Sequence, residues 1–260
     1  MNIPIVITAF GTTSRALSTY SFLDTLIRNR FPEHEVLWSF SSRAITAERK
    51  GTNALGHPAP EFVLQQLSEQ GHKYAILQSA HLWPGHEFHK LVKIGHRCPL
   101  TVSLGMPLLS SPLDYEKLCP CLDNIAHAHK NRALIIAGHG TSHPAWSGYF
   151  ALDHFLRKRF GNHIFMALLK GYPTPAEMIQ QVKDAGFDSA CLLPFMLVAG
   201  RHFERELTGS GPDSWQSQLS RAGISLQAID HGLGMMEGVA EIFCDHISEA
   251  LAHAHLSDSR

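Results

Sequence analysis

The sequence predicts an α/β protein made of two similar halves, each with helices on both faces of a parallel sheet in a three-layer arrangement. Three observations support this prediction. Short, continuous apolar runs such as Ala133–Ala137 are typical of strands that are buried on both faces. Segments with helical apolar spacing separate these runs, so strands alternate with helices. A stretch of the first half also recurs in the second half.

The elements follow one another in a regular order along the chain. The predicted strands are Ile3–Ala9, Glu35–Phe40, Tyr74–Ala80, Ala133–Ala137, His163–Leu169 and Ser189–Phe195. The predicted helices are Leu17–Arg30, Glu61–Gln70, Tyr115–Lys130, Trp146–Phe160, Pro175–Ala185 and Met235–Ala252. Residues 41–60 and 196–213 are predicted to be loops. We place the boundary between the halves at residues 130 and 131, giving an N-terminal half 1–130 and a C-terminal half 131–260.

The internal repeat is long and free of gaps. The stretch PAPEFVLQQLSEQGHKYAILQSAHLWPGHEF aligns with PTPAEMIQQVKDAGFDSACLLPFMLVAGRHF, which begins 115 residues later. Upstream, the FGTTS segment at Phe10 matches the HGTS segment at His139. Two positions break the symmetry, because His139 aligns with Phe10 and His202 aligns with Glu87. A duplicated fold places equivalent strand ends around one cleft, so these positions mark candidate functional residues.

Composition excludes several classes of protein. The formal net charge is −1 and there is no basic run, which argues against a nucleic-acid partner and against binding to an anionic membrane. No apolar stretch approaches the roughly 18–20 residues that a membrane span needs. The N-terminus lacks the basic region and cleavage site of a signal peptide, so we expect a cytoplasmic protein. The five cysteines form no CxxC pair, which argues against a thiolate zinc site.

The residues that break the symmetry of the repeat suit a divalent metal. His139, His202 and Glu87 together offer two imidazoles and one carboxylate, a set that binds cobalt, nickel, iron or zinc. His139 also comes directly after a buried strand and precedes a glycine, and ligands of open α/β sheets bind at this edge. The three residues match no known short metal motif by spacing, so they form a site only if the fold brings them together.

The sequence resembles a known family along nearly its whole length. The segment GHGTSHPAW at Gly138–Trp146 is similar to that of the anaerobic sirohydrochlorin cobaltochelatases, the class II tetrapyrrole chelatases of cobalamin biosynthesis. The other similar segments, in family order, are FGTT, FSSR, QSAHLWPGHEFHKL, LGMPLL, GYP, PFMLVAGRHF, DSW and GLG. The resemblance implies a chelatase-type fold with a cleft between the halves, in which Co²⁺ as substrate is inserted into sirohydrochlorin without ATP or an organic cofactor.

The resemblance also implies roles for single residues. His139 falls on a histidine that binds the metal and accepts a proton, His202 on the second ligand, and Glu87 on a carboxylate that acts as acid or base or guides the metal. The chemistry suits these groups, because two pyrrole N–H protons must leave as the metal enters and neutral imidazole accepts protons near pH 7. Two or three ligands also release a metal more readily than a closed tetrahedral site does.

Two positions depart from the family pattern. Lys170 and Arg201 stand where the family commonly has acidic residues. Either the surface has drifted, or these cations bind the carboxylates of the tetrapyrrole. The hydroxyl residues Thr12, Thr13, Thr141 and Ser142 are further candidates for binding substrate carboxylates, with helix capping as the alternative. Trp83, Phe203 and Trp215 are candidates for stacking on the macrocycle, with core packing as the alternative.

Other functions stay open at this point. A chelatase of the same fold that prefers Fe²⁺ or Ni²⁺ fits the same residues, because imidazole and carboxylate discriminate poorly among these metals. A relative that binds a tetrapyrrole or a metal without turnover is the alternative outside enzymology. Sequence alone does not separate precorrin-2 from sirohydrochlorin as substrate, and it leaves a homo-oligomer open.

Overall fold

Two four-stranded parallel sheets with helices packed on them form the structure, a computed structural model that describes residues 2–11, 17–42 and 58–258. The strands are β1 (Ile5–Ala9), β2 (Val36–Phe40), β3 (Tyr74–Ser79), β4 (Thr101–Gly105), β5 (Ala133–Gly138), β6 (Ile164–Leu168), β7 (Ser189–Phe195) and β8 (Ser225–Ala228). The strand orders, β2-β1-β3-β4 and β6-β5-β7-β8, are the same in both sheets. The predicted α/β class with two similar parallel sheets is confirmed.

The helices fill the connections between the strands. They are α1 (Leu17–Arg30), α2 (Pro60–Glu69), α3 (His86–Arg97), α4 (Pro112–Cys121), α5 (Asp123–Ala128), α6 (Gly148–Phe160), α7 (Pro175–Asp184), α8 (Trp215–Arg221) and α9 (Glu237–Asp258). None of these described helices is long and apolar enough to cross a membrane. The central strands β1 and β5 are buried along their whole length, which explains why their sequences are continuous apolar runs.

The sequence repeat is also a structural repeat. Helix α2 and helix α7 each begin with a proline, and the two prolines are 115 residues apart, as are the first residues of β3 and β7. Gly71 and Gly186, which come after the two helices, both adopt left-handed conformations, with φ of 89° and 80°. This conformation favours glycine and ends each helix with the same turn into the next strand.

The chain folds into two compact units whose segments are interleaved. The first contains Met1–Thr13, Tyr20–Asp114 and Glu237–Arg260, and the second contains Ser14–Thr19 and Tyr115–Met236, as far as these segments are described. Helix α9 therefore belongs with the first sheet, whereas the sequence placed it in the half 131–260. It packs against β3 and β4. Its buried His246 is hydrogen-bonded through Nδ1 to the Met106 carbonyl oxygen at 3.0 Å and through Nε2 to Asp114 at 3.1 Å.

Several elements differ from the sequence prediction. Strand β8 was not predicted, and the stretch that contains β4 was left open between helix and strand; both are short strands with partly exposed residues. The helix predicted over 115–130 is two helices, α4 and α5, which are separated at Leu122. The segment 196–213, predicted as a loop, contains a helical turn at Phe203–Leu207. In the loop predicted over 41–60, residues 43–57 lie outside the described part of the chain.

Candidate functional site

His139 lies directly after the buried strand β5, and its ring is half-buried. Nδ1 of His139 lies 3.0 Å from the carbonyl oxygen of Gly140. A carbonyl oxygen has no proton, so Nδ1 must carry the hydrogen and donate it. The other ring nitrogen, Nε2, then keeps its lone pair in the neutral imidazole, and this is the atom that can bind a metal or accept a proton.

The turn after His139 is fixed by its neighbours. Gly140 has φ of 79°, and a Cβ at this position would collide with the carbonyl oxygen of Lys170. The Gly140 amide donates a hydrogen bond to the hydroxyl of Tyr149 at 3.0 Å, and the Lys170 amide donates to the carbonyl of His139 at 3.0 Å. Burial raises the pKa of Tyr149 to about 12, and hydrogen bonds with the backbone of Gly140 and His139 offset only part of this rise. Tyr149 therefore stays protonated and holds the turn.

His202 approaches His139 from the segment after strand β7. The two imidazole centroids are 4.7 Å apart and the ring planes are inclined by 72°. His202 precedes a π-helical turn at Phe203–Leu207, in which the Thr208 amide donates to the carbonyl of Phe203 at 3.0 Å. Single π turns of this kind are frequent at functional sites.

Glu206 supports His202 from within the π turn. Nδ1 of His202 lies 2.8 Å from Oε1 of Glu206, and the two side chains are 42% and 47% exposed. An ionised carboxylate only accepts hydrogen bonds, so Nδ1 of His202 is the donor and Nε2 is left as the free ring nitrogen. A metal-binding histidine is commonly oriented by a carboxylate on its other nitrogen in this way. Sequence reasoning missed Glu206.

The electrostatic surroundings keep His139 neutral near pH 7. Burial is the main cause that lowers the pKa of His139, and the Gly140 carbonyl acts against it by raising the pKa. A proton on His202 would lower the pKa of His139 further, as the charge of Lys170 does, whereas the charge of Glu206 raises it. The net pKa of His139 lies below 6.5, so the imidazole carries no charge and offers a lone pair.

Glu87 belongs to the other unit, in the first turn of helix α3. Nζ of Lys90 donates a hydrogen bond to Oε1 of Glu87 at 2.5 Å. Burial raises the pKa of Glu87, but Lys90, Ser41 and His81 together outweigh burial and the net pKa is lowered, which keeps the carboxylate ionised. Burial also lowers the pKa of His81 to about 4.

Three buried polar atoms around Glu87 lack a hydrogen bond of normal geometry to any described residue. They are Oγ of Ser41, Nε2 of His81 and Oε2 of Glu87. Buried polar atoms are normally hydrogen-bonded, and leaving one unpaired is costly. Nδ1 of His81 is already hydrogen-bonded to Oγ of Ser79 at 2.9 Å.

The remaining candidates fall into three groups. Thr12 and Thr13 lie outside the described residues. Thr141 accepts a hydrogen bond from the amide of His143 at 3.1 Å, as a turn-capping hydroxyl does, and Ser142 is exposed. Lys170 and Arg201 are both exposed, and Lys170 is close enough to His139 for its charge to affect the pKa of the imidazole.

In the described part of the chain, the histidine pair is not part of a larger ligand cluster. Within residues 2–11, 17–42 and 58–258, no three His, Cys, Asp or Glu side chains are grouped as a metal site. Two Nε2 atoms alone would leave further coordination positions of a divalent ion to be filled.

Comparison with known proteins identifies the family of this chain. The family model described as cobalt chelatase (CbiK) matches residues 4–252. The chain belongs to the cobalt chelatase family. Two curated relatives are each 30% identical to it: sirohydrochlorin cobaltochelatase CbiKC of Nitratidesulfovibrio vulgaris, over 95% of this chain and 90% of the relative, and sirohydrochlorin cobaltochelatase of Salmonella typhimurium, over 85% and 84%.

Two solved structures share the fold of this chain. The sirohydrochlorin chelatase SirB of Bacillus subtilis subspecies spizizenii, solved in complex with cobalt, superposes with a TM-score of 0.58 at 12% identity, covering 96% of this chain and 95% of SirB. DR2241 of Deinococcus radiodurans, a multi-domain protein with structural similarity to chelatases, gives 0.64 at 14% identity, covering 96% of this chain and 55% of DR2241.

Proposed function

We propose that this protein inserts Co²⁺ into sirohydrochlorin in the cytoplasm, as a step of cobalamin biosynthesis that uses neither ATP nor an organic cofactor. The observation that carries the proposal is the pair of imidazoles with centroids 4.7 Å apart. Each has its Nδ1 proton held by an oxygen acceptor, Gly140 for His139 and Glu206 for His202, which leaves each Nε2 free. Membership of the cobalt chelatase family, and two relatives named as sirohydrochlorin cobaltochelatases, support cobalt and sirohydrochlorin as the substrates.

The same pair accounts for the transfer of the metal. His139 and His202 hold Co²⁺ through their Nε2 atoms, and the macrocycle nitrogens replace them one by one. Two imidazoles bind the ion less firmly than a closed four-ligand site would, so the ion can be passed on. Nitrogen donors suit cobalt, but they suit Fe²⁺ and Ni²⁺ as well, so the histidines alone do not set the preference for cobalt.

Two pyrrole protons must be accepted as the metal enters. When Co²⁺ leaves Nε2 of His139, the lone pair of this neutral imidazole becomes available for one proton. Glu87, whose net pKa is lowered, is ionised and can accept the second proton. Lys170 and Arg201 are exposed cations suited to the carboxylates of the substrate.

Absorbance spectroscopy tests the proposal directly. Purified protein is mixed with sirohydrochlorin and with Co²⁺, Fe²⁺ or Ni²⁺, and the spectrum of the metallated product is followed over time. We expect cobalt insertion by the wild type, its loss in His139→Ala, and weaker metal binding with slower turnover in His202→Ala. His154→Ala, which removes an exposed histidine from helix α6 of the same unit, is the matched control.

Three outcomes would overturn parts of this proposal. Near-normal insertion by His139→Ala would refute the role of the histidine pair. Faster insertion of Fe²⁺ or Ni²⁺ than of Co²⁺ would reassign the metal. Binding of sirohydrochlorin without any metallation would indicate that the protein binds a tetrapyrrole without turnover.

A further inference from the structure

Three exposed aromatic rings form a continuous surface in the unit that carries the histidine pair. The Trp146 ring meets the Phe150 ring edge-on at a centroid distance of 5.1 Å, and the Phe150 ring lies nearly parallel to the Tyr172 ring at 6.1 Å. We propose that this aromatic platform, defined as Trp146, Phe150 and Tyr172, is the surface on which a face of the conjugated macrocycle stacks. The inference rests on the proposed function and adds the binding site of the organic substrate to it.

The exposure of these rings needs an explanation. Trp146 and Phe150 are each 42% exposed and Tyr172 is 51% exposed. Isolated apolar residues on a surface are ordinary, but large rings in contact with one another form an apolar patch, and such patches mark binding sites. Aromatic rings also stack favourably on flat conjugated systems in offset or edge-on arrangements.

The rings of the platform lie next to residues that form the turn at His139. Phe150 is the next residue after Tyr149, whose hydroxyl accepts a hydrogen bond from the Gly140 amide at 3.0 Å. Tyr172 is two residues beyond Lys170, and the Lys170 amide donates to the His139 carbonyl at 3.0 Å. The segments after β5 and β6 therefore carry both the candidate metal ligand and the rings, at the carboxyl edge of one sheet.

The charge beside the platform agrees with the same substrate. Lys170 is exposed, it stands two residues before Tyr172, and it is close enough to His139 for its charge to affect the imidazole. A macrocycle with acidic side chains has flat apolar faces and an anionic rim, and the rings together with Lys170 complement both features. This complementarity favours such a ligand over an uncharged apolar partner.

The rings proposed from sequence are less available for this role. Phe203 is 9% exposed and Trp215 is 2% exposed, and both pack in the core beneath the second sheet. Core packing, the alternative given for these two residues, is what the structure shows. We therefore assign stacking in this unit to the aromatic platform, whose rings were not predicted from the sequence.

Binding of metal-free sirohydrochlorin tests the platform separately from metal insertion. Spectroscopic titration of the wild type, Trp146→Ala, Phe150→Ala and Tyr172→Ala gives each dissociation constant. Removing one stacked ring should weaken binding about 2- to 12-fold. Trp146→Phe should recover most of the affinity, because it restores a ring. Phe62→Ala, which removes a ring that is 48% exposed on helix α2 of the other unit, is the matched control and should bind as the wild type does.

Further measurements separate this inference from the proposed function. Co²⁺ affinity without tetrapyrrole should be the same in the three alanine variants as in the wild type. Wild-type affinity for sirohydrochlorin in all three variants would overturn the platform and leave the proposed function intact. If the variants keep wild-type affinity for sirohydrochlorin but change the mass measured by sedimentation, the platform is overturned and the rings form a contact between copies of the chain. If the wild type itself does not bind sirohydrochlorin, the platform and the proposed function are both refuted.

Discussion

Replacing Glu206 by alanine is expected to weaken Co²⁺ binding without unfolding the protein. The carboxylate holds Nδ1 of His202 at 2.8 Å, which leaves Nε2 as the nitrogen that would bind the metal in our proposal. Without it, the ring can rotate and take either tautomer, and part of the population presents a protonated nitrogen. Removing such an orienting partner typically costs 10- to 100-fold in metal affinity. The pair is 42% and 47% exposed, which favours the lower end, about 10-fold or about 1.4 kcal/mol.

Calorimetric titration with Co²⁺ measures this loss, and the visible spectrum of bound Co²⁺ reports any change in coordination. Glu206→Gln retains an amide oxygen that can accept from Nδ1, so its loss should be smaller than that of Glu206→Ala. Glu204→Ala is the matched control, because Glu204 is an exposed acid in the same π turn. Thermal unfolding of the metal-free variants shows whether the fold is intact.

Two results would refute this reasoning. One is wild-type Co²⁺ affinity in Glu206→Ala, which would mean that His202 needs no orienting partner or is not a ligand. The other is an equal loss in Glu206→Ala and Glu204→Ala, which would mean that the general negative charge of the turn matters and the hydrogen bond to His202 does not.

Three further predictions concern charge, backbone and pH. Lys170→Glu should tighten Co²⁺ binding measured calorimetrically without tetrapyrrole, whereas the same change at exposed Lys158 should not; equal effects would contradict this. Gly140→Ala should lower the free energy of unfolding by more than Gly161→Ala does. Both positions have positive φ, so alanine at either costs about 1–2 kcal/mol of backbone strain, but only a Cβ at Gly140 collides with a neighbouring carbonyl. Burial lowers the pKa of His81 from 6.5 to about 4, so the unfolded chain takes up the proton first on acidification. The stability that wild type has over His81→Gln should then be intact above pH 6.5 and fall by about 3 kcal/mol towards pH 4 in denaturant titrations, and a constant difference would contradict this.

The central strands could be predicted because burial on both faces leaves a continuous apolar run, as in β1 and β5. The edge strands could not. Strand β8, with the sequence SLQA, has partly exposed residues and is short, so its sequence resembles that of a loop. The position of helix α9 on the first sheet also escaped prediction, because an amphipathic pattern shows that a face is buried and does not show which sheet buries it.

The candidate site was predictable where the repeat breaks its own symmetry. His139 and His202 stood out by this criterion, and the structure places their rings 4.7 Å apart. Glu206 was missed because its stretch was predicted as a loop, where a spacing of four residues has no meaning. In a helical turn, a spacing of four residues places two side chains side by side. The spacing of His202 and Glu206 would therefore have indicated the pair only if the turn had been predicted.

The two units differ in the segments that come directly after their equivalent glycines, Gly85 and Gly200. After Gly85 the regular helix α3 begins, and Glu87 is paired with Lys90 three residues later. After Gly200 comes the π turn, and His202 is paired with Glu206 four residues later. In both cases the second residue stabilises the form in which the first can act: a cation keeps a carboxylate ionised, and a carboxylate holds one imidazole nitrogen protonated and the other free. A carboxylate and an imidazole need supports of opposite charge, and each unit supplies the matching one three or four residues after the aligned position.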